Sequence, residues 1–138
     1  MNKIILTSIS LIFACNSIFG QTNKEKYAND VKSIDAIIKA CYEAASGSSQ
    51  ELWEFERNKS IHSESALIIF LGENGKAEPL TLDTLHIELG LSERKNFYEQ
   101  ELKRKVSQFG NIVQVWSAYE IRYEPETSTN IRGLVSLQ

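Results

Sequence analysis

Few residues in this chain have the type and spacing that chemistry needs. Its two histidines, His62 and His86, stand near Glu64 and Glu88, and such pairs could hold a metal ion or pass a proton in a dehydratase-like reaction. A metal site needs three or four converging ligands at a recognisable spacing, which two histidines in segments of different type do not supply, so no metal is expected. The bland role, a surface or helix-capping histidine, is the expectation for both. Ser117 lacks a G-x-S-x-G context and reads as a small residue that lets a helix approach a sheet, not as a nucleophile. Of the two cysteines, Cys15 lies in the leader and Cys41 sits in apolar helical register, which suits a small buried hydrophobe and makes no internal disulfide. These residues do not add up to a catalytic constellation, and no cofactor is implied.

The elements that would position them are legible. Val31, Ile34, Ile38, Cys41 and Ala45 recur at three- and four-residue steps and predict an amphipathic helix, capped by Asp30 and ended by Gly47. Ser48 and Glu51 have capping-box spacing and predict a second short helix carrying Leu52, Trp53 and Phe55. The apolar run 65–71 predicts a strand entering a turn at 72–75, and residues 83–89, closed by Gly90, predict a third helix. Residues 97–109 and 112–123 flank Gly110-Asn111, a tight-hairpin signal, and 130–138 add a third antiparallel strand after a polar loop.

In the middle strand Val113, Val115, Ser117, Tyr119 and Ile121 share one face and should meet the helices. The opposite face carries Gln114, Trp116 and Arg122, and a large aromatic there predicts cover by a partner subunit in a homodimer. The one basic cluster, Lys103-Arg104-Lys105, alternates faces and should cross-pair with Glu99 and Glu101 on a solvated strand surface.

Residues 1–21 have the layout of a secretory signal: Lys3, an apolar run over 4–14, then small and polar residues to Gln21. Export to the periplasm or beyond the cell is expected, with lipid anchoring at Cys15 as a less favoured variant. The apolar run is too short to span a bilayer, and no later segment would. Residues 22–29 read as a flexible lead-in and 30–138 as one domain. With 15 basic against 18 acidic residues and a net charge of −3, nucleic acid is not an expected partner.

The order of these elements, with Phe109-Gly110-Asn111-Ile112 through Arg122 and Arg132-Gly133 through Gln138, resembles the NTF2-like superfamily, which includes ketosteroid isomerase and the SnoaL-type cyclases. The resemblance covers residues 30–138 and implies an α+β cone, N-terminal helices packed on a strongly curved antiparallel sheet. Similar proteins commonly finish with one further strand holding a Gly-Arg-Trp-like stretch, so a C-terminal truncation is expected, leaving Leu134 and Leu137 without a neighbour. The isomerase base falls at Phe70, which takes no proton, and the helix-borne tyrosine falls near Ala40, with Tyr42 on another side of the helix. In a cone, Tyr42, Trp53, Ser117 and Tyr119 would line an apolar cavity with a few hydroxyls, or else form a core with satisfied hydroxyls. The expected function is non-catalytic binding of a small apolar molecule or a partner protein. An isomerase or dehydratase using His62, Glu73 and Tyr119, and a structural role in the cell envelope, are the alternatives.

Overall fold

Ser33, not Asp30, starts the main helix. In the computed structural model, which describes residues 23–71, 74–124 and 130–138, a short helix α1 (Asn23–Lys26) and a 3-10 turn (Ala28–Val31) lead into α2 (Ile34–Ala45). The Ser33 side chain accepts the Ala36 N–H at 3.1 Å, the N-cap bond that Asp30 was expected to make. Asp30 is engaged instead by Arg57, at 2.7 Å and 3.2 Å. Val31 is consequently exposed and off the core stripe, while Ile38, Ala40, Tyr42 and Ala44 are buried.

The expected helix at Ser48 does not form. Glu51 does reach back to the Ser48 N–H at 2.6 Å, but Arg94 claims the Ser46 and Ser48 carbonyls and Asn96 claims the Ser49 N–H. With its backbone groups taken from outside, the segment stays a turn, Leu52 is left exposed, and α3 begins only at Phe55 (Phe55–Ser60).

Strand β1 (Leu67–Leu71) pairs antiparallel with β2 (Ala77–Thr81), a strand the sequence reading left out, and the pair forms a sheet of its own. Pro79 is compatible with that place, since a two-stranded sheet has only edges. Helix α4 (Leu82–Leu91) follows at once, capped by Thr81, and passes through Gly90 instead of stopping there. The Gly72 and Glu73 part of the turn, the leader with Cys15, and most of the polar loop at 124–130 lie outside the described residues.

The second sheet is antiparallel, in the order β3 (Tyr98–Phe109), β4 (Ile112–Arg122), β5 (Ile131–Leu137). Gly110, at φ +57°, makes the tight turn from β3 to β4. The architecture is α+β with helices and antiparallel sheets, and the sheets do not close into a barrel. The core joins Ile38 and Tyr42 of α2 to Val115 of β4, with Ile34, Ile37, Val113, Tyr119 and Leu137 packed around them. Burying each such side chain contributes about 1.5–3 kcal/mol.

One residue of β3 changes everything on its N-terminal side. Pairing is regular from Phe109↔Ile112 back to Lys103↔Ala118, then skips Leu102, so that Glu101 faces Tyr119 and Glu99 faces Ile121. This β-bulge turns Glu99 and Glu101 to the inner face, with Arg104, Val106, Ser117 and Tyr119. The three basic residues alternate faces as expected, with Lys103 and Lys105 outward and Arg104 inward, but the expected cross-pairing on a solvated surface is corrected, because both glutamates point in.

Gly133 lies opposite Tyr119, and a Cβ placed there would run into the phenol ring. Gly133→Val is therefore expected to push Tyr119 out of its packing and to destabilise the fold by about 1–3 kcal/mol, read as a lower midpoint in urea unfolding.

Candidate functional site

A seam holds the end of α2 to the start of β3. Gly47 and Phe97 exchange backbone hydrogen bonds of 2.8 Å and 3.0 Å, and the Ser46 hydroxyl accepts the Glu99 N–H at 2.9 Å. Gly47 is needed at this joint, because φ is +150° and a Cβ would meet the Arg94 guanidinium. The seam brings the last turns of α2, with Cys41 and Tyr42, over the inner face of β3.

There a polar chain crosses from helix to sheet. The Tyr42 hydroxyl lies 2.7 Å from Ser117 Oγ, and Ser117 donates to Glu101 Oε1 at 2.6 Å. Serine has one proton, so Tyr42 must be the donor to Ser117. The other Glu101 oxygen takes the Arg104 Nε–H at 2.9 Å, and Arg104 continues to Asp35 of α2 at 2.9 Å. Burial pushes the Tyr42 phenol up to about 12. Of the residues predicted to bind a ligand, Tyr42, Ser117 and Tyr119 thus come together, the two tyrosine rings 6.4 Å apart. Tyr42 and Ser117 are wholly occupied with each other and with Glu101.

Glu99, expected on the solvated strand surface, is turned to the inner face instead. Its charge reaches Cys41, Tyr42 and Tyr119, whose pKa values it raises. Burial pushes the Glu99 carboxyl up to about 7, with no cation or hydrogen bond to oppose the shift. It lines a cleft of about 310 Å³ beside the seam, with Ser46, Tyr98 and Arg122. The Arg122 Nε–H in that wall is buried and has no partner among the described residues. Cys41 lies nearby, its thiol pushed up to about 11 by burial and then by Glu99, which suits the packing role and not a nucleophile.

Trp53 lies elsewhere, in a stack running Arg94, Trp53, Phe55, His86. The guanidinium is 4.1 Å from the indole centre, and the ring pairs are 5.9 Å and 4.5 Å apart. His86 corrects the surface expectation, being 7 % exposed and held by Asn58 Oδ1 at 3.1 Å, with burial lowering its pKa. His62 is bonded through Nδ1 to the Asn58 carbonyl at 2.8 Å, at the end of α3, and His86 links α4 to α3. Among the described residues no group of three or more His, Cys, Asp or Glu could hold a metal ion, and no helix is long and apolar enough to cross a membrane. Trp116, Gln114 and Arg122 do share the outer face of β4, where Gln114 donates to Ser136 and Arg122 to Glu120.

Comparison with known proteins gives no match: no family model, no curated protein and no solved structure corresponds to this chain.

Two measurements check this geometry. Ser117→Ala strands the buried Tyr42 hydroxyl and should cost about 1–3 kcal/mol, while adding Tyr42→Phe should restore part of the loss, which a double-mutant cycle reads as coupling. Glu99 binds its proton more tightly folded than unfolded, so its contribution is complete below the ordinary carboxylate value of 4.5 and is lost as pH rises through about 7. The unfolding midpoint of Glu99→Gln should therefore fall less than that of the native chain between those limits.

Proposed function

We propose that this chain is an exported NTF2-like domain that binds a small, largely apolar molecule carrying one hydrogen-bonding group, with Glu99 as the residue that meets that group. The single observation behind the reading is Glu99: a half-buried carboxyl on the wall of a cleft, with no cation beside it among the described residues. Burying such a group costs free energy that packing alone would not require, and perturbed carboxyls in clefts concentrate at functional sites. The cleft volume of about 310 Å³ suits a molecule of a few rings at most. Tyr98 supplies an aromatic wall, and Ser46, Glu43 and Gln100 complete the polar lining. Tyr42 and Ser117 act behind the site by holding α2 on the sheet. The NTF2-like assignment rests on the sequence order around Gly110 and Gly133 together with the helix-on-antiparallel-sheet arrangement, and export rests on residues 1–21 alone.

With its proton on, Glu99 donates to a ligand carbonyl; with its proton off, it repels one. A fluorescent aromatic ketone, such as an acyl-dimethylaminonaphthalene, should bind with a blue-shifted emission and lose affinity as pH rises through about 7. Glu99→Gln keeps a donor and should bind at every pH, whereas Glu99→Leu should weaken binding about tenfold. Equal binding by Glu99→Leu, or no binding by the native chain, would end this reading.

The same carboxyl favours a second reading, proton transfer, because a group that changes charge near neutral pH can both take and return a proton. Deuterium uptake at the carbon beside the ketone, followed by nuclear magnetic resonance, separates the two. Uptake abolished in Glu99→Gln while binding persists would identify a base, and uptake at the buffer rate would leave binding as the activity.

A further inference from the structure

We propose that the outer face of the β3–β4–β5 sheet docks an acidic polypeptide segment of a partner protein, its apolar side chains on Trp116 and Leu134 and its carboxylates on Lys103, Lys105 and Arg132. The pairing register fixes the membership of this face. Trp116 stands between Lys105 and Ser136, Ala118 between Lys103 and Leu134, and Glu120 between Gln100 and Arg132. Directly opposed residues of neighbouring strands point the same way. Trp116 is 46 % and Leu134 64 % exposed, and Lys103, Lys105 and Arg132 are exposed around them. An apolar centre with a charged rim is the anatomy of a protein-binding surface.

Charge selects the occupant. The chain as a whole is acidic, yet among the described residues the three strands give this face Lys103, Lys105, Arg122 and Arg132 against the one carboxylate of Glu120. That carboxylate is 3 % exposed and turned to Gln100 at 2.6 Å and Arg122 at 2.5 Å, with Arg132 3.8 Å from its other oxygen, so it offers little to an incoming cation and the two lysines carry the face's free charge toward a partner. The bulge at Leu102 removed the two acids that would have neutralised the lysines, since Glu99 and Glu101 face inward. A second copy meeting the first by a twofold axis would set this cationic face against itself, which like-charge repulsion disfavours. Nucleic acid suits the patch poorly, because one tryptophan gives no stacking ladder and the acidic remainder of the chain repels phosphates.

The experiment uses fluorescence anisotropy with a labelled synthetic peptide of glutamates interrupted by leucines, a counterpart with lysines for glutamates, and an oligothymidylate. The acidic peptide should bind, the basic one should not, and affinity should fall as salt is raised. Lys103→Glu with Lys105→Glu should weaken binding by about tenfold or more, and Trp116→Ala should weaken it without changing the salt dependence. Lys39→Glu, an exposed charge on α2, should leave binding unchanged. The wild-type comparison of peptides stands even if a face variant fails to fold. Equal binding of both peptides, an oligothymidylate that binds as tightly as the acidic peptide, or a native dimer that Trp116→Glu dissociates in sedimentation would each overturn the proposal.

Discussion

A single extra residue in β3 decides which charges this protein keeps inside. Had β3 continued in register from the Gly110 turn, Glu101 would face Glu120 and Glu99 would face Arg122, all on the outer surface. Because the pairing skips Leu102, the N-terminal end of the strand rotates by one face, while Lys103, Lys105 and everything nearer the turn stay where the hairpin puts them. Two carboxyls thereby enter the helix-covered side, and two ammonium groups remain outside without them. The inner polar chain and the outer basic patch are consequences of one irregularity.

Bringing carboxyls under a helix is tolerable only if the helix is held firmly enough to exclude water and still satisfy them. The seam at Ser46 and Gly47 supplies the first condition, since it joins the end of α2 to β3 by backbone bonds on both strands of the joint. The line from Tyr42 through Ser117 to Glu101 and Arg104 supplies the second for Glu101 alone, and Arg104 returns to α2 at Asp35. Ser117, fully buried, is the residue that makes this possible, because a larger side chain there would lift the helix from the sheet. Apolar contacts around Ile38 and Val115 give the packing its bulk, and the polar line gives it one register.

Much of this was legible in the residues. The hairpin at Gly110, the three antiparallel strands and the inward set Val113, Val115, Ser117, Tyr119 and Ile121 follow from alternation and turn chemistry, which act locally. What was not legible depended on partners distant in sequence. The turn at Ser48 was read as a helix because Arg94 and Asn96, which take its backbone groups, stand more than forty residues away. His86 was read as a surface residue because its burial comes from Phe55 and Asn58 on another helix. Glu99 was hidden most deeply, since counting back from the turn assigns it to solvent and no residue type announces a bulge. A pair of glutamates spaced two apart at the start of a strand, opposite an isoleucine and a tyrosine, was the available signal, and it could be used only with the register in hand.

Glu99 and Glu101 then differ in a way that strand position cannot explain, for they are two residues apart on one face. Glu101 is closed off by Ser117 and Arg104 and has no capacity left for a ligand. Glu99 has its backbone fixed by Ser46 at 2.9 Å and 3.1 Å, and its carboxyl has no cation beside it among the described residues. Its main chain is held in place while its side chain keeps hydrogen-bonding capacity open to the cleft. Between the two, the fold has placed one acid that builds the structure and one that the structure presents.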